Sequence, residues 1–270
     1  MPGVRRRLMK LRRSLLALVA ALAFIAPTAG AETITAARYA APVERYGHFA
    51  LGRPHEYARL EASTDSGRTL ALELPEDEVF EDLAPRIVRL AAGESTSILA
   101  IVSRRDSGAR LVLIRLKGDA LAIGAQSPAI GAPRRWLNPV GVADLDGDGR
   151  AEIAAVITPH IGGTLKVYRR RGGALVEVAA LEGFSNHVYG SPELAMSAPV
   201  SIDGRMRLLV PDAARLHLRI VALESGRLVE AGRCALSAPI TGAIKPISPR
   251  EISVGLISGQ QIIVPGDCLK

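Results

Sequence analysis

The hydrophobic positions of this chain fall into short alternating runs separated by glycine turns, a pattern typical of β-strands. No long segment shows a 3.6-residue hydrophobic period. One hairpin recurs, in which an apolar strand runs into a glycine turn and then into a strand rich in Leu and Val. Its four copies cover residues 57–74, 110–123, 165–178 and 216–231, and the turn glycines Gly67, Gly118, Gly172 and Gly226 are spaced 51, 54 and 54 residues apart.

A second pair of short strands precedes the hairpin in each period. Its upstream members are residues 86–90, 140–143, 194–197 and 243–247, and its downstream members are residues 97–102, 152–157, 207–210 and 251–257. Four antiparallel strands repeated about every 50 residues are typical of a β-propeller blade, because one such sheet cannot bury both of its faces alone. The sequence therefore predicts an all-β chain organised as a β-propeller.

The predicted ring is closed by strands from both termini. The chain starts with an outer hairpin, residues 57–74, and finishes with an inner pair, residues 243–257, so one closing blade would combine them and remove the exposed edges. Counting inner pairs gives four blades, and residues 39–56 and 261–264 would add strands for a fifth. A β-sandwich or an open β-solenoid is the alternative architecture.

The formal net charge of +7 belongs to a leader. The first 31 residues hold six basic residues and no acidic one, and the other 28 basic residues nearly balance the 27 acidic residues. A nucleic-acid partner is therefore not expected. Residues 1–31 have the parts of a signal peptide, namely a basic start, an apolar segment over 15–26, the breaker Pro27 and the cleavage motif Ala29-Gly30-Ala31.

Cleavage after Ala31 would release residues 32–270 as a single domain in the periplasm or as a secreted protein. The apolar segment of the leader is too short to cross a ~30 Å hydrocarbon core as a helix, so we expect no membrane span after cleavage, and we expect a monomer. In an oxidising compartment Cys234 and Cys268 would form one disulfide or remain two free buried thiols, and the sequence leaves both open.

The strongest chemical signal is the acidic loop, which we define as residues 144–152, between the inner strands of the second unit. Its sequence is Asp-Leu-Asp-Gly-Asp-Gly-Arg-Ala-Glu. Its candidate metal ligands are Asp144, Asp146, Asp148, the backbone carbonyl of Arg150 and Glu152. The two glycines allow a tight curl, and several oxygen ligands on a flexible loop suit Ca²⁺ better than Mg²⁺.

An EF-hand is excluded, because position 12 of the loop is Ala155 and the flanking segments are strands. Without a metal the loop would be an ordinary Asp/Gly turn with solvated carboxylates. Four acids within nine residues repel one another unless a cation neutralises them. We therefore expect the loop to bind a metal ion, with Ca²⁺ favoured.

Residues 140–156 resemble the FG-GAP/VCBS repeat of integrin-α-like β-propellers, whose D-x-D-G-D-G-x-x-[DE] loop binds calcium between two propeller strands. The resemblance implies a propeller with a structural Ca²⁺ on the five positions named above. Of the other units, one keeps Asp203-Gly204 and the others have lost the acids, so the resemblance implies a single ion. The family serves in adhesion, ligand binding and occasional enzymes, and it implies no reaction.

Three histidines outside the clearest strands, His48, His160 and His187, form a second candidate site. His160 follows the second strand of its blade and His187 lies in the crossover to the next, so both would approach the same end of the ring. There they would bind a transition metal, act in acid–base chemistry or make ordinary hydrogen bonds.

The tract Arg134-Arg135-Trp136 would either recognise an anionic or sugar ligand or pack between blades. Two charged runs are predicted to be solvated. They are Arg169-Arg170-Arg171 at a hairpin tip and the acidic positions 76–78 and 81–82 in a surface connection.

No catalytic motif is recognisable, since the sequence has no G-x-S-x-G, P-loop or H-E-x-x-H. We expect a calcium-binding, non-catalytic binding or interaction module whose ligand is an unidentified protein, small molecule or carbohydrate. The alternative is a periplasmic hydrolase or lyase with a His/acid site at the propeller mouth.

Overall fold

A computed structural model describes residues 32–270, and strands joined by short turns make up most of them. In chain order the strands are β1 Ile34–Val43, β2 Glu56–Thr64, β3 Thr69–Glu73, β4 Glu78–Phe80, β5 Arg86–Val88, β6 Ser97–Arg104, β7 Gly108–Lys117, β8 Ala120–Gln126, β9 Leu137–Ala143, β10 Glu152–Ile157, β11 Gly163–Arg171, β12 Ala174–Phe184, β13 Ala198–Ile202, β14 Arg205–Pro211, β15 His217–Glu224, β16 Arg227–Ala235, β17 Ile240–Pro246, β18 Ile252–Leu256 and β19 Gly259–Ile263. The all-β prediction is confirmed.

Within residues 32–270 the one helical element is the 3-10 turn Pro265–Cys268. No helix within residues 32–270 is long and apolar enough to cross a membrane. The predicted signal peptide, residues 1–31, lies outside the described residues.

The strands form five antiparallel modules. We name them module 1 (β1–β3), module 2 (β5–β8), module 3 (β9–β12), module 4 (β13–β16) and module 5 (β17–β19). Strand β4 pairs with β2 and with β6 and so links modules 1 and 2. A single parallel pair, Gln126 with Ala174, links the edges of modules 2 and 3. Modules 4 and 5 are separate sheets.

The predicted glycine hairpins are present. They are β2–β3, β7–β8, β11–β12 and β15–β16. The turn glycines have positive φ angles of 82° at Gly67, 60° at Gly118, 59° at Gly172 and 74° at Gly226. Glycine adopts this conformation without a Cβ penalty, which explains its position at each tip.

The central strands are buried on both faces. Successive residues along such a strand pack alternately against the module before it and the module after it. On β10, Ile153 and Ala155 pack between modules 2 and 3, whereas Ala154 and Val156 pack between modules 3 and 4. Side chains of a strand alternate between its two faces, so a strand between two sheets must be apolar at every position. Four such clusters join the modules in chain order from 1 to 5.

The closing blade predicted from both termini is not formed. Hairpin β2–β3 takes β1 as its third strand, and β17–β18 takes β19. No strand of module 1 pairs with one of module 5 within residues 32–270, and the sheets are not closed into a ring. Each terminal edge finds a partner nearby in the chain, which costs less loop-closure entropy than a partner at the opposite end.

The C-terminal residues return to module 4. Cys234 on β16 and Cys268 form a disulfide with their Cα atoms 5.2 Å apart, which decides the alternative that the sequence left open. Beside it, Gly232 and Leu269 form an isolated bridge pair. Glycine is required there, because a Cβ on Gly232 would lie 2.3 Å from the carbonyl oxygen of Cys268.

Candidate functional site

The acidic loop joins β9 to β10, where the ladder pairs Ala143 with Glu152. Gly147 and Gly149 have φ angles of 82° and 83°, and they turn their amides toward Asp144. Asp144 Oδ1 accepts from the Gly147 amide at 2.8 Å, and Asp144 Oδ2 accepts from the Gly149 amide at 2.9 Å. The first aspartate therefore organises the curl from inside.

Three of the predicted ligands come together. One carboxylate oxygen each from Asp144, Asp146 and Glu152 lie within 4.8 Å of one another. Glu152 is fully buried, and its Oε2 accepts from the Leu145 amide at 3.0 Å. Oxygens that share one Ca²⁺ ion lie 2.3–2.6 Å from it and hence at most about 5 Å apart, so these residues fit the ion that the resemblance implies.

The group does not include Asp148, and the predicted Arg150 ligand is a backbone carbonyl rather than a side chain. Asp148 turns its Oδ1 to the Arg150 amide at 2.8 Å. The Arg150 side chain points to Glu94 at 3.6 Å, and the Arg150 backbone forms a bridge pair with Ala91 of module 2. The five-ligand set remains a prediction in its full form.

Arg169 is not the solvated tip residue that the sequence predicted. Its Nη2 lies 2.6 Å from Asp146 Oδ2 and 2.6 Å from Glu152 Oε1, and its Nε donates to the same Glu152 oxygen at 2.9 Å. The hydrogen bonds to Glu152 and then Asp146 raise the pKa of Arg169 above its ordinary value. Arg170 pairs with Glu94, between β5 and β6, at 2.7 Å. Arg169 therefore ties the acidic loop to β11, and Arg170 ties β11 to module 2.

A second site lies where four connections meet at one end of the modules. The connections are residues 44–55, 127–136, 158–162 and 185–197. They contact one another through Gly190 N–H to Ala50 O at 2.9 Å, Arg134 N–H to Tyr46 Oη at 3.1 Å, Thr158 N–H to Trp136 O at 2.9 Å and Tyr189 Oη to His48 O at 2.6 Å.

We name the space they enclose the histidine cavity. Its volume is about 190 Å³, and it is lined by His48, Arg134, Arg135, Trp136, Thr158, His160, Ile161 and Tyr189. The structure thus brings His48, His160 and the Arg134-Arg135-Trp136 tract to one place. His187 lies fully buried directly behind His160.

His160 and His187 form a directed hydrogen-bond chain. The Ser191 carbonyl can only accept, so His187 carries its proton on Nε2, which lies 2.9 Å from that oxygen. His187 Nδ1 then accepts from His160 Nε2 at 2.7 Å. Burial lowers the pKa of each histidine to about 4, and the chain leaves His160 Nδ1 as a neutral acceptor.

His48 is held in a comparable way by Glu81. His48 Nδ1 lies 2.6 Å from Glu81 Oε1, and Ser103 donates its hydroxyl to Glu81 Oε2. Burial raises the pKa of Glu81, and the hydrogen bond from His48 opposes that rise. The remaining nitrogen of His48, Nε2, makes no hydrogen bond to another residue of 32–270.

The prediction that positions 81–82 lie in a surface connection is wrong, because Glu81 and Asp82 are each only 2% exposed. They follow the short buried strand β4, and Arg86 pairs with Asp82 at 2.6 Å. Sequence reasoning missed this because two adjacent carboxylates are mostly solvated. The apolar pair Val79-Phe80 just before them was the available signal.

Trp136 packs between modules, which is one of the two roles left open. It belongs to the core cluster between modules 2 and 3, and its Nε1 donates to the Glu81 carbonyl at 2.9 Å. Its ring is parallel to that of His160, with an interplanar angle of 6° and centroids 6.0 Å apart. Trp136 therefore forms a rigid floor of the histidine cavity.

Comparison with models of known protein families and with curated proteins gave no match. The class that the geometry itself defines is an all-β protein with one acidic loop and one histidine cavity.

Proposed function

We propose that this protein is an exported, non-catalytic binding module built from FG-GAP/VCBS-type repeats, with one structural Ca²⁺ in the acidic loop and a ligand site in the histidine cavity. Modules 2, 3 and 4 then correspond to complete four-stranded repeats. The observation that carries the binding function is the histidine cavity, whose walls come from four separate connections.

The cavity has the features of a preformed binding site. A concave space with an apolar body and a few fixed polar groups is the usual form of a small-ligand site. Ile161 and Tyr189 are 60% and 56% exposed at its rim, which is unusual for large apolar side chains. Arg134 and Thr158 line it with positive φ angles of 54° and 52°, and strained residues of this kind cluster at functional sites.

The structural role of calcium is supported by the position of the acidic loop between two core strands. The ion would be held by carboxylate oxygens of Asp144, Asp146 and Glu152, which lie within 4.8 Å of one another. Its positive charge would offset the repulsion between these three acids. Neutralising them fixes the turn between β9 and β10. In this proposal the ion has a structural role.

The calcium part is tested by calorimetric titration of chelator-treated protein, together with thermal unfolding. We expect Ca²⁺ to bind once and to raise the melting temperature. Asp146→Asn should abolish both effects, whereas Glu76→Gln, which removes an exposed acid elsewhere, should leave them unchanged. A wild-type protein that binds no calcium at millimolar concentration would overturn the calcium part.

The binding part is tested by a thermal-shift screen with a small-molecule library. We expect compounds that stabilise the wild-type protein and fail to stabilise Tyr189→Ala, which loses much of the exposed rim. Ile257→Ala removes a comparably exposed apolar side chain far along the chain in module 5 and serves as the control. Ligands that stabilise all three proteins equally would contradict a site in the cavity.

A second candidate function is a hydrolase or lyase at the same cavity. The specific observation is the chain from the Ser191 carbonyl through His187 to His160, which leaves a neutral ring nitrogen at the cavity, as a general base requires. It would be favoured by turnover of chromogenic ester, phosphate or glycoside substrates that is lost in His160→Gln while binding of the substrate persists.

A further inference from the structure

We propose that the histidine cavity binds a small organic anion, namely a single ring that carries one carboxylate or phosphate group. This assignment rests on the binding function proposed above and adds the chemical class of the ligand.

The charge of the cavity selects an anion. Arg134 and Arg135 both line it and are both exposed, and no ion pair within residues 32–270 involves either of them. No carboxylate is among the lining residues. Two buried acids lie behind His48: Glu81, which is engaged by His48 and Ser103, and Glu56, whose Oε1 accepts from the His48 amide at 3.1 Å. Two consecutive arginines without an ion pair at a concave site favour a carboxylate or phosphate, which arginine binds in a bidentate manner.

The rest of the lining selects a ring. Ile161 and Tyr189 offer exposed apolar surface beside the arginines. A volume of about 190 Å³ is below the range of drug-sized sites and matches an apolar part of about one ring. Trp136 offers no open face on which a neutral sugar could stack. Trp136 is 1% exposed, and its ring lies parallel to His160.

His160 places a hydrogen-bond acceptor inside the cavity, and His48 places a second ring nitrogen there. Each has one ring nitrogen anchored by the protein, His48 through Glu81 and His160 through His187. The other nitrogen of each ring has no partner within residues 32–270. A ring substituent that donates a hydrogen bond, such as a hydroxyl or an amine, would therefore increase affinity in this class of ligand.

The test uses matched probes of one shape. Benzoate and phenyl phosphate are anionic arms, benzamide is the neutral arm and benzylammonium is the cationic arm. The single tryptophan, Trp136, lines the cavity and reports binding by fluorescence, and calorimetry gives the affinity. We expect at least one anion to bind at least tenfold more tightly than benzamide, with no binding of benzylammonium.

The variant Arg134→Gln/Arg135→Gln should lose at least tenfold in affinity for that anion and become insensitive to salt. Arg171→Gln, an exposed arginine without an ion pair on a distant hairpin, should bind as the wild type does. Equal binding of benzoate, phenyl phosphate and benzamide, or full affinity in the double variant with an unchanged melting temperature, overturns the anion assignment and leaves the binding function standing. A cavity that binds none of the probes and gives no hit in the library screen overturns both.

Discussion

Arg169 on β11 lies across the antiparallel ladder from Glu152 on β10 and also reaches Asp146 with the same guanidinium nitrogen. Two of the three grouped carboxylates thus already share one positive charge that belongs to the chain. A bound calcium ion would share these oxygens with the guanidinium or displace it. Arg169 therefore determines how much of the stability of the loop depends on bound calcium.

The first prediction concerns this arginine. Arg169→Gln should bind calcium about tenfold more tightly than the wild type, because the competing charge is gone, a gain of about 1.4 kcal/mol. Without calcium the same variant should be destabilised by about 2 kcal/mol, because the fully buried Glu152 loses its partner. Calorimetry and urea unfolding measure the two effects.

Lys166→Gln is the matched control on the same strand. Lys166 pairs with the half-exposed Glu177 at 2.8 Å, away from the acidic loop. Its loss should change stability by less than about 0.5 kcal/mol and leave calcium affinity unaltered. If Arg169→Gln bound calcium no better than Lys166→Gln, the competition between the guanidinium and the ion would be disproved.

The second prediction concerns the close approach that holds the histidine cavity together. A Cβ on Gly52 would lie 2.3 Å from the carbonyl oxygen of Gly190, whereas a Cβ on Gly47 would meet only Phe49 Cζ at 3.8 Å. Both glycines have nearly the same φ, 68° and 67°. Gly47→Ala should cost about 1 kcal/mol of strain, and Gly52→Ala about 3 kcal/mol, because it must also separate two connections.

The measurement is urea unfolding of both variants, with Trp136 fluorescence as a probe of the cavity. Equal destabilisation by the two substitutions would show that the contact between Gly52 and Gly190 does not constrain the fold.

The third prediction concerns the disulfide. Replacing both Cys234 and Cys268 by alanine should lower the free energy of unfolding by about 3 kcal/mol, because the bond closes a loop with a sequence separation of 34. Hydrogen exchange should increase first in residues 265–270 and along β16, which the tail covers. An unchanged denaturation midpoint under reducing conditions would contradict this prediction.

The fourth prediction concerns pH. The pKa of His160 and of His187 is lowered to about 4 from the ordinary 6.5, so the unfolded chain takes up protons first as the pH falls. The stability that comes from the neutral pair is complete above about pH 6.5 and is lost as the pH falls toward 4. Urea unfolding at several pH values in this window should show the loss.

The double variant His160→Gln/His187→Gln should have a flatter profile over the same window. The contribution of Glu230 to stability changes at lower pH, because hydrogen bonds, the strongest of them from Arg233, lower the pKa of Glu230 to about 2. Its contribution is present above about pH 4.5 and is lost only as the pH falls toward 2. A wild-type profile that is flat between about pH 6.5 and 4 would rule out the buried neutral histidines.

Much of the fold could be predicted from alternation and turn glycines alone. Hairpins at Gly118 and Gly172 require a positive φ at the tip and apolar strands on both sides, and both properties are visible locally. Whether the sheets close into a ring was not predictable, because ring closure depends on which strand each edge strand pairs with. Strand β1 has few large apolar residues at its start, Ile34-Thr-Ala-Ala, and its pairing with β2 overrides that weak signal.

The candidate sites likewise contain residues that the sequence could predict and residues that it could not. The acidic loop is a contiguous motif, so Asp144, Asp146 and Glu152 could be named from spacing. Arg169 lies in a different strand, and only the register of β10 with β11 brings it to the loop. The histidines could be grouped by their loop positions, but Glu81 could not, because its burial depends on tertiary packing rather than on its neighbours in sequence.

The disulfide between Cys234 and Cys268 encloses the whole of module 5, since β17, β18 and β19 all fall between the two cysteines. A protease that cuts any turn in that stretch opens a covalent ring instead of freeing a fragment, so both pieces stay attached to β16. A single cut in the last sheet would therefore not release it from module 4.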